Sequence, residues 1–352
     1  MPDPLPQRVL VVRLGAIGDV TNALVFATAC KAAYPNVHLA WVVHPLALPL
    51  VQGHPAIDRV HVWTRGGGLS EFLRLRRELR AEHYDLAIDL QRIQKSALLA
   101  RASGAPRVLG YDRRRTKEAS WLWTNERIPA GHARTHMLDQ YVEFAVHLGL
   151  DPAAAQRVLP LDVEAESWAD AFVQHLGGQP FIVHVGATKT PNRWEPERYG
   201  HLIRRLRDAG IGPICLTGGP GDREDADRAM GILAGGHGDV PSDFRDLVGS
   251  TSLPQLIALF RRASGFVGCD TGPMHLAAAV GARVVALFGP ADPLRTGPYG
   301  PEHVVLRRPG AGTDRDVALP DAQIDDLSVD DVARAIRKCS GRPPGIPSES
   351  RF

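Results

Sequence analysis

The sequence predicts an α/β protein of two doubly wound domains, each built on a mainly parallel sheet. Three observations predict it. Short apolar runs alternate with helical segments, the pattern of βα units. That alternation breaks over residues 151–166, a stretch rich in proline, alanine and acid that reads as a linker. The chain has 352 residues, a length suited to two domains. The expected division is residues 1–165, residues 166–338, and a Gly-, Pro-, Ser- and Arg-bearing tail over 339–352 that reads as disordered.

The elements follow in order. Residues 9–12 (Val-Leu-Val-Val) form a strand that ends in the turn Gly15-Ala16-Ile17-Gly18 and Asp19. A helix runs on to about Ala33 and stops at Tyr34-Pro35, because the residue before a proline is pushed out of helical space. Strands are predicted over 37–43, 59–63, 86–90 and 108–111, with a helix over 69–82. The second series has strands over 181–185, 213–216, 265–267 and 284–287, and helices over 198–209, 223–233 and 253–263. Open parallel sheets bind ligands beyond the carboxyl ends of their strands, so both domains can contribute to one cleft.

Composition narrows the classes. The chain is 44% hydrophobic and 23% charged, as soluble proteins with full cores are. Its net charge of +2 gives no sequence-wide field toward nucleic acid. Cys30, Cys215, Cys269 and Cys339 are far apart and form no Cys-x-x-Cys pair, which argues against zinc and against a disulfide framework and fits a reducing compartment. The first residues lack a basic-then-apolar leader, and no uncharged apolar run approaches the roughly 18 residues of a spanning helix. The expectation is a cytoplasmic protein with room for peripheral contact at a membrane surface.

Four constellations carry chemistry. In the first, Phe266 and Val267 lead into Gly268-Cys269-Asp270-Thr271-Gly272-Pro273-Met274-His275 and an alanine-rich helix. Pro273 suits a first helical turn, and Asp270 or Thr271 can cap it. Such a corner is either ordinary α/β architecture or a seat for an anion such as phosphate, because the helix presents free N–H groups and a positive dipole end. In the second, Gly15-x-x-Gly18 falls short of G-x-G-x-x-G and supports a nicotinamide cofactor only weakly. Asp19 there reads either as an N-cap or as a base facing the cleft.

The third constellation, residues 185–194, ends a strand in small residues with two cations, Lys189 and Arg193, and the hydroxyls of Thr188 and Thr190, a set suited to a diphosphate or to a solvated basic loop. Nearby, Gly218-Gly219-Pro220-Gly221-Asp222 is a flexible turn or a carboxylate for a ribose diol. The fourth, Asp89 to Ser96 with the basic run Arg113-Arg114-Arg115-Thr116-Lys117, suits an acidic partner or is a solvated charged loop. The fourteen histidines make no H-E-x-x-H pattern. Asp225-Ala226-Asp227 and Asp314-Arg315-Asp316 are read as chance occurrences, not cation sites, and no Walker A or Gly-x-Ser-x-Gly sequence occurs.

Taken together these residues resemble glycosyltransferase family 9, the ADP-heptose:lipopolysaccharide heptosyltransferases. The likeness runs through Val11–Val20, Tyr84–Gln91 with Lys95-Ser96, Arg193-Trp194, Asp246-Leu247-Val248-Gly249, the 270–275 run, and Phe288-Gly289-Pro290 with Gly297-Pro298-Tyr299-Gly300. The resemblance implies a GT-B fold with the acceptor on the first domain and the nucleotide sugar on the second. It implies an inverting transfer without metal or other cofactor, from ADP-heptose to an acidic, lipid-linked inner-core sugar. Asp19 matches the family's catalytic aspartate. Asp270 would meet sugar hydroxyls; Thr271, Gly272 and Thr188 the diphosphate; Asp222 the ribose. His275 would orient the turn, and Gly18, Lys95 and Arg113 would face the acceptor. Two positions depart from the family: Asn192 replaces a lysine, whose charge Lys189 or Arg193 would supply, and Asn22 replaces a histidine. Alternatives are a GT-B transferase with another nucleotide sugar or a natural-product acceptor, and a nucleotide-binding protein without catalysis; an NAD oxidoreductase ranks last.

Overall fold

The computed structural model describes residues 6–64, 66–187, 190–234, 241–307 and 324–340. The chain divides into two compact units, the first ending at Pro160 and the second beginning at Leu161.

The first unit runs β1 (Arg8–Val12), α1 (Ile17–Ala33), β2 (His38–Val43), β3 (Arg59–Val62), α2 (Gly68–Ala81), β4 (Leu86–Asp89), α3 (Gln94–Ala102), β5 (Arg107–Gly110), β6 (Glu126–Arg127) and α4 (Met137–His147). All pairings are parallel and the order is β3-β2-β1-β4-β5-β6. Helix α1 is apolar nearly all round because it packs against both the sheet and α4; Leu24 and Phe26 are fully buried. It ends at Tyr34, whose backbone leaves helical space ahead of Pro35.

The second unit runs α5 (Val163–Leu176), β7 (Phe181–His184), α6 (Pro196–Asp208), β8 (Ile214–Thr217), α7 (Arg223–Ala234), β9 (Phe244–Asp246), α8 (Leu253–Arg261), β10 (Gly265–Cys269), α9 (Gly272–Ala279), β11 (Val284–Phe288), α10 (Pro293–Thr296), β12 (Val304–Arg307) and α11 (Val329–Ser340). Its sheet, also parallel, has the order β12-β11-β10-β7-β8-β9. Trp194, Tyr199 and Val267 lie in its core. Counted along each unit, both sheets follow the doubly wound order third-second-first-fourth-fifth-sixth. Each therefore reverses direction once, at β1/β4 and at β7/β10, the points where such sheets bind ligands.

Several expectations change. Residues 151–166 are not a plain linker. Asp151 caps a short turn at Pro152–Ala154, and the Thr28 hydroxyl both donates to the Gln156 carbonyl (2.8 Å) and accepts from the Gln156 amide (3.0 Å), fastening this stretch to α1. The division falls ahead of α5, whose cap is Asp162, and not at 165/166 within it. Helix α11 carries structure through Ser340, two residues beyond the expected end of the second domain at Lys338; residues 341–352 lie outside the described residues. Residues 94–96, read as part of a charged loop, begin helix α3. No helix among the described residues is long and apolar enough to cross a membrane.

Candidate active site

At the first switch point, Val12 of β1 pairs with Asp89 of β4. The chain leaves β1 through Arg13, whose carbonyl accepts the Trp41 indole N–H at 3.1 Å. The Arg13 guanidinium is buried. It donates to the Leu90 carbonyl at 3.2 Å, lies over the Tyr141 ring at 5.8 Å, and pairs through Nη2 with Asp19 Oδ2. The Tyr141 hydroxyl stands 3.4 Å from Asp19 Oδ1, its acceptor. The Asp19 side chain is 37% exposed while that of Arg13 is 5% exposed, so the cation is fixed inside and the carboxylate reaches outward. Asp19 is not the cap of α1: Ala16 occupies that position, and Asp19 sits in the first turn behind it.

A second layer supports this pair. Gln91 Oε1 accepts from the Leu14 amide at 2.7 Å, and Asp89 Oδ1 accepts from the Gln91 amide at 3.0 Å. Burial pushes the Asp89 carboxyl up to about 6, against the opposing pull of hydrogen bonds from Ser96, Gln91 and Arg92. Arg92 is buried in the left-handed region at φ 71°. It donates to Gln140 Oε1 (3.3 Å) and Met137 Sδ (3.4 Å) and lies 5.2 Å from the Tyr111 ring. Arg115, expected in a solvated basic run, is buried instead, 5.3 Å from the Tyr111 ring and paired with Asp112 and Glu143.

Of the residues expected on this side, Gly18 is buried in the first turn of α1, beside Asp19, and Asn22 is buried one turn on. Lys95 and Arg113 stand outside this hydrogen-bonded cluster: Lys95 is exposed in the first turn of α3, and Arg113 is exposed with its guanidinium 4.3 Å over Trp121.

The second switch point is made of different material. Beyond β7, Gly186 has φ +86°, and a Cβ there would lie 2.2 Å from Asp222 Oδ1. Asp222 Oδ2 accepts from the Gly219 amide at 2.9 Å, and its Oδ1 pairs with Arg193 Nη2 at 3.2 Å. Arg193 also donates to the Ala187 carbonyl and to Asp225 Oδ2, both at 2.7 Å. Arg193, expected as a loose phosphate cation, is thus a brace between two carboxylates and its own loop. Asp222, expected as a ribose acid, has both oxygens engaged. Thr188 and Lys189 lie outside the described residues, and Asn192 is buried.

Beyond β10, the Thr296 hydroxyl lies 3.4 Å from Asp270 Oδ2. Thr271 is the N-cap of α9, but its hydroxyl donates to the Cys269 carbonyl at 3.2 Å and caps no helix amide, so the capping bond expected of Thr271 is not made. Gly272 starts the helix, Pro273 follows, and His275 is buried within it. Gly268 permits close packing, since a Cβ there would stand 3.1 Å from that of His184. His184 Nδ1 is 3.0 Å from Thr217 Oγ1, and burial lowers its imidazole to about 4.

Sequence reading singled out neither Arg13 nor Tyr141. Arg13 carries a signal, a cation directly after an apolar strand; Tyr141 carries none. Among the described residues no group of three or more His, Cys, Asp or Glu side chains is placed to hold a metal ion.

The sequence model of glycosyltransferase family 9 (heptosyltransferase) matches residues 72–318. The chain is 30% identical to lipopolysaccharide heptosyltransferase 1 of Pseudomonas aeruginosa, over 85% of this chain and 83% of that one. It is 26% identical to the lipopolysaccharide core heptosyltransferase OpsX of Haemophilus influenzae, over 84% and 82%. The solved E. coli heptosyltransferase WaaC with ADP superposes with a TM-score of 0.74 at 26% identity, over 94% of this chain and 99% of that one. The same enzyme has been solved with ADP-2-deoxy-2-fluoro heptose, with a TM-score of 0.71.

Proposed function

Because this chain belongs to glycosyltransferase family 9, and so is a glycosyltransferase of the GT-B class, we propose that it moves heptose from ADP-heptose to the inner core of lipopolysaccharide. Its similarity to lipopolysaccharide heptosyltransferases over most of the chain supports the acceptor class, and the ADP and ADP-heptose analogue bound by a 26% identical enzyme support the donor. The observation that carries the chemistry is Asp19: a carboxylate in the first turn of α1, held from within by Arg13 and touched by Tyr141.

In this reading the acceptor hydroxyl attacks the anomeric carbon as the bond from that carbon to the diphosphate breaks, with inversion. Asp19 takes the hydroxyl proton. Charge grows on the leaving diphosphate, where the first turn of α9, which the Thr271 side chain does not cap, stabilises it without reorganising. Thr188, Thr271 and Gly272 contact the phosphates, Asp270 the sugar and Asp222 the ribose. Arg193 is already neutralised by Asp222 and Asp225, which leaves Lys189 to supply the charge missing at Asn192. No metal or other cofactor enters. Gly18, Lys95 and Arg113 face an acidic acceptor, and the transfer takes place on the cytoplasmic side.

The test is a thermal-shift comparison of ADP, UDP and GDP followed by transfer from ADP-heptose. ADP at about a hundred times its Kd should stabilise the fold by about 2.7 kcal/mol. Stronger stabilisation by UDP or GDP would overturn the donor assignment and favour another nucleotide sugar. ADP binding without transfer to any core acceptor would point to a different acceptor, as the changes at Asn22 and Asn192 would then suggest.

A further inference from the structure

Three consecutive residues beyond β4 fasten both groups that hold the Asp19 carboxylate. The Leu90 carbonyl accepts from the Arg13 guanidinium at 3.2 Å, and Gln91 Oε1 accepts from the amide of Leu14, the next residue, at 2.7 Å. The Arg92 guanidinium reaches α4 instead, donating to Met137 Sδ at 3.4 Å and to Gln140 Oε1 at 3.3 Å. Met137 and Gln140 are three residues apart, so they share one face of the helix, and Tyr141 comes next. Gln140 is pinned at its other end too, where Nε2 donates to the Thr135 carbonyl at 2.7 Å.

A buried guanidinium ordinarily meets a carboxylate, and an apolar chain of similar volume would fill the space at no greater cost. Among the described residues the Arg92 guanidinium pairs with no carboxylate: its partners are an amide, a thioether and the Tyr111 ring. What it adds to packing is therefore a fixed register of α4 against the loop beyond β4. The Arg92 backbone has a separate task. Its carbonyl accepts from the Lys117 amide (2.8 Å) and the Ser120 hydroxyl (3.0 Å), holding the positive-φ bend at Glu118 and Ala119 ahead of the exposed Leu122 and Trp123.

Tyr141 is fully buried, and the only hydrogen bond its hydroxyl makes among the described residues is to Asp19 Oδ1, at 3.4 Å. Burial pushes the phenol well above its ordinary value, so it serves as a donor only. Bonds of this kind are often long without substrate and tighten in the reacting complex. The two oxygens of Asp19 are thus divided. Oδ2 faces Arg13, which keeps its charge, and a proton there would break the ion pair. Oδ1 keeps a lone pair beside the Tyr141 bond. We propose that Tyr141 is a positioning residue that turns Asp19 Oδ1 toward the acceptor hydroxyl, and that Arg92 sets Tyr141 through α4. This role rests on the transfer reading. In that step the acceptor O–H bond breaks and its proton goes to Oδ1. The oxygen bonds to the anomeric carbon, and the diphosphate leaves with the electron pair of the bond that breaks.

The test is steady-state transfer from ADP-heptose to heptose-deficient lipopolysaccharide by the full-length protein. Tyr141→Phe should lower kcat about tenfold with KM for ADP-heptose unchanged. Arg92→Met, which keeps most of the volume without the bonds, should lose a similar factor. In an Asp19→Asn background neither change should lower kcat further by more than about twofold, because groups that act as a unit do not add. Wild-type kcat in Tyr141→Phe, or a loss that multiplies that of Asp19→Asn in the combined variant, would overturn the proposal and leave the transfer reading standing. Full transfer by Asp19→Asn, or none by wild type, would sink the transfer reading and this role with it. Should Tyr141→Phe fold poorly, Arg92→Met, alone and combined with Asp19→Asn, decides by the same two outcomes.

Discussion

The switch points of the two sheets occupy the same place in the same strand order and are built from opposite materials. At β1/β4 the sheet ends in buried charge: Arg13, Asp89 and Arg92, arranged around Tyr111 and Tyr141. At β7/β10 the charge is partly exposed and lies beyond the strands, with Arg193 braced between Asp222 and Asp225, Gly186 and Thr271 at the turns and a neutral buried His184 behind them. The first arrangement spends side chains to aim one carboxylate. The second closes its charges on one another and leaves Gly186 and the Thr271–Gly272 helix start at the strand ends. The same strand order thus carries different groups past its strand ends, and function has to be argued from those groups, not from the order.

The contrast can be broken most sharply at Asp19. On the proposed assignment, Asp19→Asn should lower kcat by about 10³ while leaving ADP binding within error of wild type. Turnover near normal would remove Asp19 as the base. Next comes its support. Arg13→Gln frees the carboxylate to wander, and kcat should fall about 10²-fold. Removing the buried cation should also cost about 3 kcal/mol of stability, read by urea unfolding. Loss of stability with kcat unchanged would make Arg13 purely structural.

On the second sheet, Gly186→Ala meets both the positive φ and the Asp222 carboxylate, and should cost about 2 kcal/mol and weaken ADP binding. Its kcat at saturating donor should hold, the reverse of the Asp19 variant. A further contrast between the sheets is in pH dependence. His184 has an ordinary value of 6.5 and is lowered to about 4, so the folded state resists its proton. The stability it contributes is complete above 6.5 and is lost as pH falls toward 4, by up to about 1.4 kcal/mol per pH unit. His184→Gln should flatten that slope. Asp89 is shifted the other way, from 3.8 to about 6, so its burial grows costlier as pH rises across that window. Relative to wild type, Asp89→Asn should therefore gain stability over the interval in which His184→Gln loses its advantage.

What the sequence made legible follows the range of the interactions. Strands such as β1, β7, β10 and β11 are continuous apolar runs and show directly, as do the glycine turns after them. The strand–turn–helix corners that hold Asp19 and residues 270–275 are local patterns and show in the sequence as well. Helix α3 was missed because Gln94–Ala102 mixes polar and small residues without a clear period, and β6 because two residues carry no pattern. Arg115 read as solvated since its partner Glu143 lies on α4, a helix the sequence did not announce. Tyr141 reaches Asp19 across 122 residues, a meeting only the fold arranges. Arg193 looked like a phosphate cation because cations are visible in sequence, whereas the two carboxylates that neutralise it become neighbours only after folding.

Arg92 serves two clients with different parts of itself. Its guanidinium joins Gln140, Met137 and Tyr111, while its carbonyl anchors the bend that presents Leu122 and Trp123. Any residue supplies the carbonyl, and at φ 71° glycine supplies it with less strain than arginine. In genetic terms the position is a ready separation-of-function locus. An Arg92→Gly allele would strip the guanidinium from the cluster around Tyr111 and keep the carbonyl that holds the Trp123 bend, so any loss of activity would trace to the side chain and not to the backbone.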